Sequence, residues 1–271
     1  MVCSVCSIAK ESKEVENIII SRKIDQVLLD LNDKGFLNGH TPFSAYLAFI
    51  STICSYLFDY KFIISSNERS ANEANVDFLN EQINHQYSKS FEFEKSFREY
   101  SKEYLSDNIE YSSLLRPLYE LQISKIFSKY KKYLTLFRSC NVGAKNNSFC
   151  CQCPKCLSIY ISLFPFLTEK ELNSIFSKNL FENEKLKEIL LRIIGDIKPK
   201  PFECVLTYEE AQLGLFLATK KYQSKSLPYL LKFWVENYSN KYRQNLELLK
   251  SWDDQNFLTE EFSNTLKGKI E

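Results

Sequence analysis

The residues best suited to chemistry are Cys140, Cys150, Cys153 and Cys156, spaced C-x9-C-x2-C-x2-C in the run SCNVGAKNNSFCCQCPKC. A C-x2-C step lets two thiolates meet one ion from a single turn. Four sulfurs suit a tetrahedral zinc with no coordination position left for water. Such a centre holds structure and does no chemistry of its own. Two other readings also fit a cysteine cluster: reduced core thiols, or a disulfide pair in an exported protein. An iron–sulfur cluster fits less well, because the bacterial run places its fourth Cys differently and follows it with Pro, whereas Pro154 lies inside this one. Cys3 and Cys6 repeat the C-x2-C step, but two ligands alone make no site.

Three polar motifs offer other chemistry. GFLNGHTPFSA (35–45) puts Asn38, Gly39 and His40 ahead of a helix with Thr41 as its N-cap and Pro42 in its first turn, where free backbone amides can receive an anion. SSNERSANEAN (65–75) carries Asn67, Glu68 and Asn72 just beyond a strand, the place where an α/β sheet binds ligands. INHQYSKSFEFE (83–94) carries His85, Gln86 and Lys89, and on a helix His85 and Lys89 would face one way. Both histidines of the chain fall within these motifs. Each motif also reads as an Asn-Gly turn, a polar loop or an exposed helix start.

The elements that must position these groups are legible as patterns. Residues 41–58 are uncharged, yet their Ser and Thr content and short length favour a buried core helix over a membrane span. KFIISS (61–66) reads as an interior strand. Helical spacing recurs at 91–104, at 112–130 with Leu114, Leu118, Leu121 and Ile126 on one flank, and at 158–164, 169–177, 184–194, 208–222 and 227–242. A further strand is expected at 134–137, leading into the cysteine run, and Gly195 closes one of the helices. The result is an α/β portion over 1–139, a knuckle with helices over 140–200 and a helical carboxyl-terminal region over 201–271, with KPKP (198–201) as the internal boundary.

Bulk composition excludes more than it assigns. The 271 residues suffice for a sizeable core, and 35 Lys and Arg against 34 Asp and Glu leave a net charge of +1. That balance argues against a dedicated nucleic-acid binder, which favours a basic face. Nine cysteines, an odd number with one cluster, fit a reducing compartment, and the first residues lack the apolar stretch of a signal peptide. Cytoplasm and no membrane partner are the expectation.

Taken in order, LNGHTPFSA, SNERSANE, NHQYSKSFEFE, SLLRPLYEL, FRSCN, CQCPKC and KPFECV resemble the signature blocks of the UDP-N-acetylmuramoyl-L-alanyl-L-glutamate epimerase family, MurL, from about residue 24 to about residue 205. The resemblance implies inversion of the terminal L-glutamate of a UDP-N-acetylmuramoyl-dipeptide to D-glutamate in peptidoglycan precursor synthesis, with ATP and magnesium. It also implies an α/β fold: a partial PP-loop (adenine nucleotide α hydrolase-like) sheet, an α-rich carboxyl-terminal region and a four-cysteine zinc knuckle similar to that of 7-cyano-7-deazaguanine synthases. His40, Glu68, His85, Lys89 and Cys204 are then the proton-transfer candidates. Asn38, Gly39, Asn67, Asn72, Gln86, Arg116 and Arg138 would meet the substrate, the two arginines as clamps for carboxylate or phosphate.

The departures from that family are specific. Its SGGKDS-type PP-loop is absent here, and the six glycines at 35, 39, 143, 195, 214 and 268 never adjoin. Leu206 follows KPFECV where the family has Gly, and Cys151 also stands in place of a Gly. The chain therefore looks like the carboxyl-terminal portion of such an epimerase, with the PP-loop half lost or encoded separately as a partner subunit. A zinc-stabilised binding or scaffold protein and another PP-loop-superfamily ligase are the alternatives.

Overall fold

The computed structural model describes residues 4–12, 15–36, 42–143, 146–222 and 226–270. Helices α1 (Ser4–Ser12) and α2 (Gln26–Asp33) precede α3 (Phe43–Leu57) and strand β1 (Phe62–Ser65). A 3-10 turn at Arg69–Asn72 leads to the hairpin of β2 (Val76–Phe78) and β3 (Glu81–Ile83). Leu79 and Asn80 join them with φ of 51° and 65°, the left-handed pair that a tight two-residue turn requires. A second 3-10 turn at Tyr87–Lys89 precedes α4 (Phe91–Tyr104) and β4 (Glu110–Ser113).

β4 pairs with β1 in parallel, Phe62 opposite Glu110 through Ser65 opposite Ser113, so the segment between them is a crossover connection containing α4. α4 starts where the pattern places it. The Ser90 hydroxyl accepts from the Phe93 amide at 3.1 Å, and Glu92 and Glu94 in the first turn suit the helix dipole. Ala48, Ile63, Phe97 and Tyr111 tie α3, α4 and both strands into a small core.

The main core lies in the second half, built by α5 (Glu120–Phe127), α6 (Pro154–Leu163), α7 (Glu169–Phe176), α8 (Lys187–Ile193), α9 (Tyr208–Tyr222) and α10 (Tyr229–Asn237); α11 (Glu260–Ile270) packs on α5. α6 is its axis, with every residue from Cys156 to Leu163 buried. Gly214 lets α9 approach it, since a Cβ there would stand 2.7 Å from Ile161 Cγ2. The core draws residues from both sides of the KPKP segment.

Several expectations change. Residues 112–130 are not one helix: Ser112 and Ser113 end β4, and α5 begins only at Glu120. Pro117 explains the break, because the residue before a proline is pushed out of the α region. Residues 134–137 form no strand: 134–136 are a turn and Phe137 is irregular. α3 is a helix but not a buried one: only Ala48, Thr52 and Ser55 are buried, while Leu47, Ile53, Tyr56 and Leu57 are exposed. Its small side chains face the strand and its large ones face outward. The helix expected at 184–194 is a 3-10 turn followed by α8, with Gly195 in the left-handed region at φ 85°. The one expected at 227–242 ends at Asn237. The fold is mixed α/β, and among the described residues the parallel sheet has two strands, so the wider PP-loop sheet is not formed there. No described helix is long and apolar enough to cross a membrane.

Candidate functional site

The loops after β1 and β4 are held by one buried ion pair. The Arg116 guanidinium, with no exposed surface, donates to Glu94 Oε2 through Nε at 3.1 Å and Nη2 at 3.0 Å. Its remaining donors reach the carbonyls of Glu68 at 3.0 Å and Lys89 at 2.7 Å, and Asn72 Oδ1 at 3.4 Å. Glu94 also accepts from the Ser113 amide at 3.0 Å. A planar fork with five donors can satisfy two loops and a strand end at once. Asn67 closes the strand ends, donating to the hydroxyls of Ser65 at 3.0 Å and Ser113 at 3.2 Å.

Those loops deliver side chains to Cys204. The Cys204 thiol donates to Gln86 Oε1 at 2.9 Å, and the Lys89 ammonium lies 3.2 Å from its sulfur. On the other side the Lys155 ammonium donates to the Cys204 carbonyl and lies 3.5 Å from Glu120 Oε1. Burial pulls the Lys155 ammonium down, but the charges of Glu120, Cys204 and Glu68 more than offset this, so it titrates above the ordinary lysine range. Burial raises the Glu120 carboxyl against the pull of Lys155. Behind this pair, Glu210 accepts from Ser70 Oγ at 2.7 Å and from the Leu121 amide at 2.9 Å. Desolvation, helped by Glu120, pushes the Glu210 carboxyl up to about 7. A cleft of about 560 Å³ lined by Glu73, Asn75, Lys200 and Tyr208 borders the first loop.

The cysteine run folds as a closed cluster. The sulfurs of Cys140, Cys150, Cys153 and Cys156 all lie within 4.8 Å of one another, with individual pairs at 3.5, 3.8 and 3.9 Å. Zinc–sulfur bonds of about 2.3 Å in a tetrahedron demand sulfurs about 3.8 Å apart, whereas a disulfide needs about 2.05 Å. The cluster thus fits a metal ion and is not a disulfide. The amides of Gly143 at 3.1 Å and Cys150 at 3.4 Å donate to Cys140 Sγ, as expected for a thiolate ligand. Cys151 turns away, its thiol 3.0 Å from the Phe176 carbonyl, and its φ of 58° lies in the left-handed region that favours Gly. Pro154 is the first residue of α6 with Cys153 as the N-cap, so the knuckle and the core helix share residues.

Of the residues singled out in the sequence, Gln86, Lys89 and Cys204 are in direct contact, and Glu68 is close enough to act on Lys155 and Glu120. His85 lies beside them, its ring edge-on to Phe202 at 6.0 Å. Asn67, Asn72 and Arg116 form the frame beneath; the guanidinium of Arg116 is committed to that frame and not turned toward a ligand. Arg138 binds the carbonyls of Asn147 at 2.6 Å and Thr135 at 2.8 Å beside the knuckle. Asn38, Gly39, His40 and the Thr41 cap lie outside the described residues. Sequence reading missed Lys155 and Glu120. The available signal was that Lys155 stands between two ligand cysteines at a proline-started helix.

These features define an α/β protein with a thiol-centred polar site set against a four-cysteine knuckle. The chain belongs to the MurL family: the profile of the MurL N-terminal domain matches residues 4–114 and that of the MurL C-terminal domain residues 136–248. A relative from a Micromonospora species is 33% identical over 222 residues, covering 80% of this chain and 50% of that protein. One from Salinispora tropica is 36% identical over 200 residues, covering 72% and 44%. One from Xanthomonas oryzae pv. oryzae is 30% identical over 220 residues, covering 79% and 49%. All three are named UDP-N-acetyl-alpha-D-muramoyl-L-alanyl-L-glutamate epimerase. The chain spans about half the length of these relatives. No solved structure matches it at a significant level.

Proposed function

We propose that the chain carries the proton-transfer part of an epimerase that inverts the terminal L-glutamate of UDP-N-acetylmuramoyl-L-alanyl-L-glutamate to D-glutamate, in the cytoplasm. The observation that carries this reading is the Cys204 thiol between Gln86 and the Lys89 ammonium, in a chain whose relatives bear that epimerase name. The α-proton beside a free carboxylate resists removal because the carbanion would carry two adjacent negative charges. ATP, with magnesium, would supply adenylation of that carboxylate with release of pyrophosphate, which removes one of them, and hydrolysis to AMP after inversion would return the free acid. Cys204 as thiolate, with Lys89 as counter-ion, then takes the proton from one face as the Cα–H electron pair moves into an enolate-like species. A group on the opposite face returns a proton to the carbon; Glu68, His85 and His40 are the candidates. Gln86 orients the thiol, and Arg116 with Asn67 and Asn72 holds the loops. Zinc in the four-cysteine knuckle is structural.

ATP binding calls for a PP-loop half that this sequence does not contain, and two observations support such a half, whether in a longer chain or in a separate one. The relatives are about twice as long as the portion matched. The β1–β4 sheet is parallel, an arrangement that normally buries both faces, yet Ile64 and the outer face of α3 are exposed. The test is incubation of the dipeptide substrate with ATP and magnesium in heavy water, followed by chiral and deuterium analysis of the glutamate. The chain alone should be inactive. With a polypeptide bearing SGGKDS it should invert the centre and incorporate deuterium, and Cys204→Ser should lower that rate about a hundredfold or more. Exchange by the chain alone would overturn the partner. No exchange by either would overturn the epimerase reading in favour of a binding protein.

A further inference from the structure

Lys155 lies within the metal-binding run, between Cys153 and Cys156, yet its side chain leaves the knuckle. The helix start explains the direction. Pro154 opens α6, Lys155 is the next residue, and its amide, one of the donors a helix leaves unpaired, is taken by Glu203 Oε2 at 2.8 Å. Glu203 adjoins Cys204 in the chain. The Lys155 ammonium then turns back to the Cys204 carbonyl, with Glu120 at 3.5 Å as its counter-charge. Only 13% of the Lys155 side chain and 14% of that of Glu120 is exposed, so the pair acts in a largely dry setting where charges are felt strongly. Lys155 therefore holds residues 203–204 at two points, by its main chain and its side chain. Lys89 approaches Cys204 at the sulfur, 3.2 Å away.

We propose that Lys155 is a positioning residue for Cys204: seated by the knuckle and the first turn of α6, it fixes the main chain of Cys204 and sets a second positive charge, besides that of Lys89, on the residue that carries the thiol. This rests on Cys204 being the reactive thiol of the epimerase reading, and it gives the knuckle a bearing on the site beyond holding the fold. The charge effect follows from the position of the ammonium, since a cation near a cysteine speeds the reaction of its sulfur with electrophiles. A purely structural lysine would act differently. Releasing residues 203–204 would expose the sulfur and speed its reaction.

The experiment measures alkylation of Cys204 by iodoacetamide at neutral pH in the metal-loaded full chain, following the Cys204 peptide by mass spectrometry. Lys155→Met should slow alkylation about fivefold or more, in the same direction as Lys89→Met, while Lys155→Arg, which keeps the charge, stays within about twofold of the parent. Lys155→Met leaves Glu120 without its partner, so the double variant Lys155→Met with Glu120→Gln is measured alongside and should show the same slowing if the single variant does not fold. Metal content and melting temperature confirm that the variants compared are folded. Unchanged or faster alkylation in the folded single or double variant would overturn the proposal, as would equal slowing by Lys155→Arg. Epimerisation plays no part in this readout, so the absence of epimerase activity would defeat the functional reading and leave this one standing.

Discussion

Arg116 is the single residue whose loss should be felt most widely. Its guanidinium joins Glu94, the carbonyls of Glu68 and Lys89, and Asn72, and it has no access to solvent. Arg116→Met would leave the buried Glu94 carboxyl without its ion-pair partner, so the expected loss is about 3 to 5 kcal/mol, read as a fall in the denaturant midpoint. Arg116→Lys should recover little of it, because a point charge cannot span the same acceptors. Glu210 makes a prediction with a sign. Its carboxyl titrates at about 7 in the folded chain against the ordinary 4.5, so the folded state holds the proton more tightly. The stability it adds is complete below the ordinary value and is lost as pH rises through the folded one. The melting temperature should fall between about pH 5 and about pH 8, and Glu210→Gln should flatten that slope.

At the scale of elements, the knuckle depends on a glycine. A Cβ at Gly143 would stand 2.1 Å from the Ser148 carbonyl oxygen, inside the loop whose amides serve Cys140. Gly143→Ala should therefore purify with much less than one metal per chain by elemental analysis. Gly268, with nothing within 4 Å, is the control: Gly268→Ala should keep the metal and add about 0.5 to 1 kcal/mol through helix propensity. The contrast shows what a sequence can carry. The bounds of α4 and α9 are those of the periodic pattern, because Ser90 and the reciprocal Thr207 and Glu210 caps write helix starts locally. The cysteine cluster was legible from spacing alone, for the same reason. Pro117 was visible too, but the apolar residues around it at helical spacing concealed that a strand ended there. Lys155 and Glu120 were illegible as a pair. Glu120 is the first residue of α5 and Lys155 the second of α6, and only the packing of those two helices brings them together. The outward face of α3 was misread because apolar sequence reports that a surface prefers burial, not what buries it.

The whole molecule is lopsided, with a dense helical half around α6 and a front whose parallel strands and α3 leave apolar side chains uncovered. Ile53 is 55% and Tyr56 76% exposed, so Ile53→Asp with Tyr56→Ser should change the stability of the chain alone by about 0.5 kcal/mol or less. If the PP-loop partner seats on this face, the same pair should abolish reconstitution of epimerase activity, and unaltered reconstitution would place the partner elsewhere. The shared start of the knuckle and α6 bears on the molecule's survival in a different way. Because the helix at the centre of the main core begins among the four clustered cysteines, an ion bound by them would be a reactant in folding. Each tenfold rise in free zinc above its dissociation constant then adds about 1.4 kcal/mol to the folded state. The abundance of the folded chain would follow the metal supply, and zinc starvation would deplete it without any change in its synthesis.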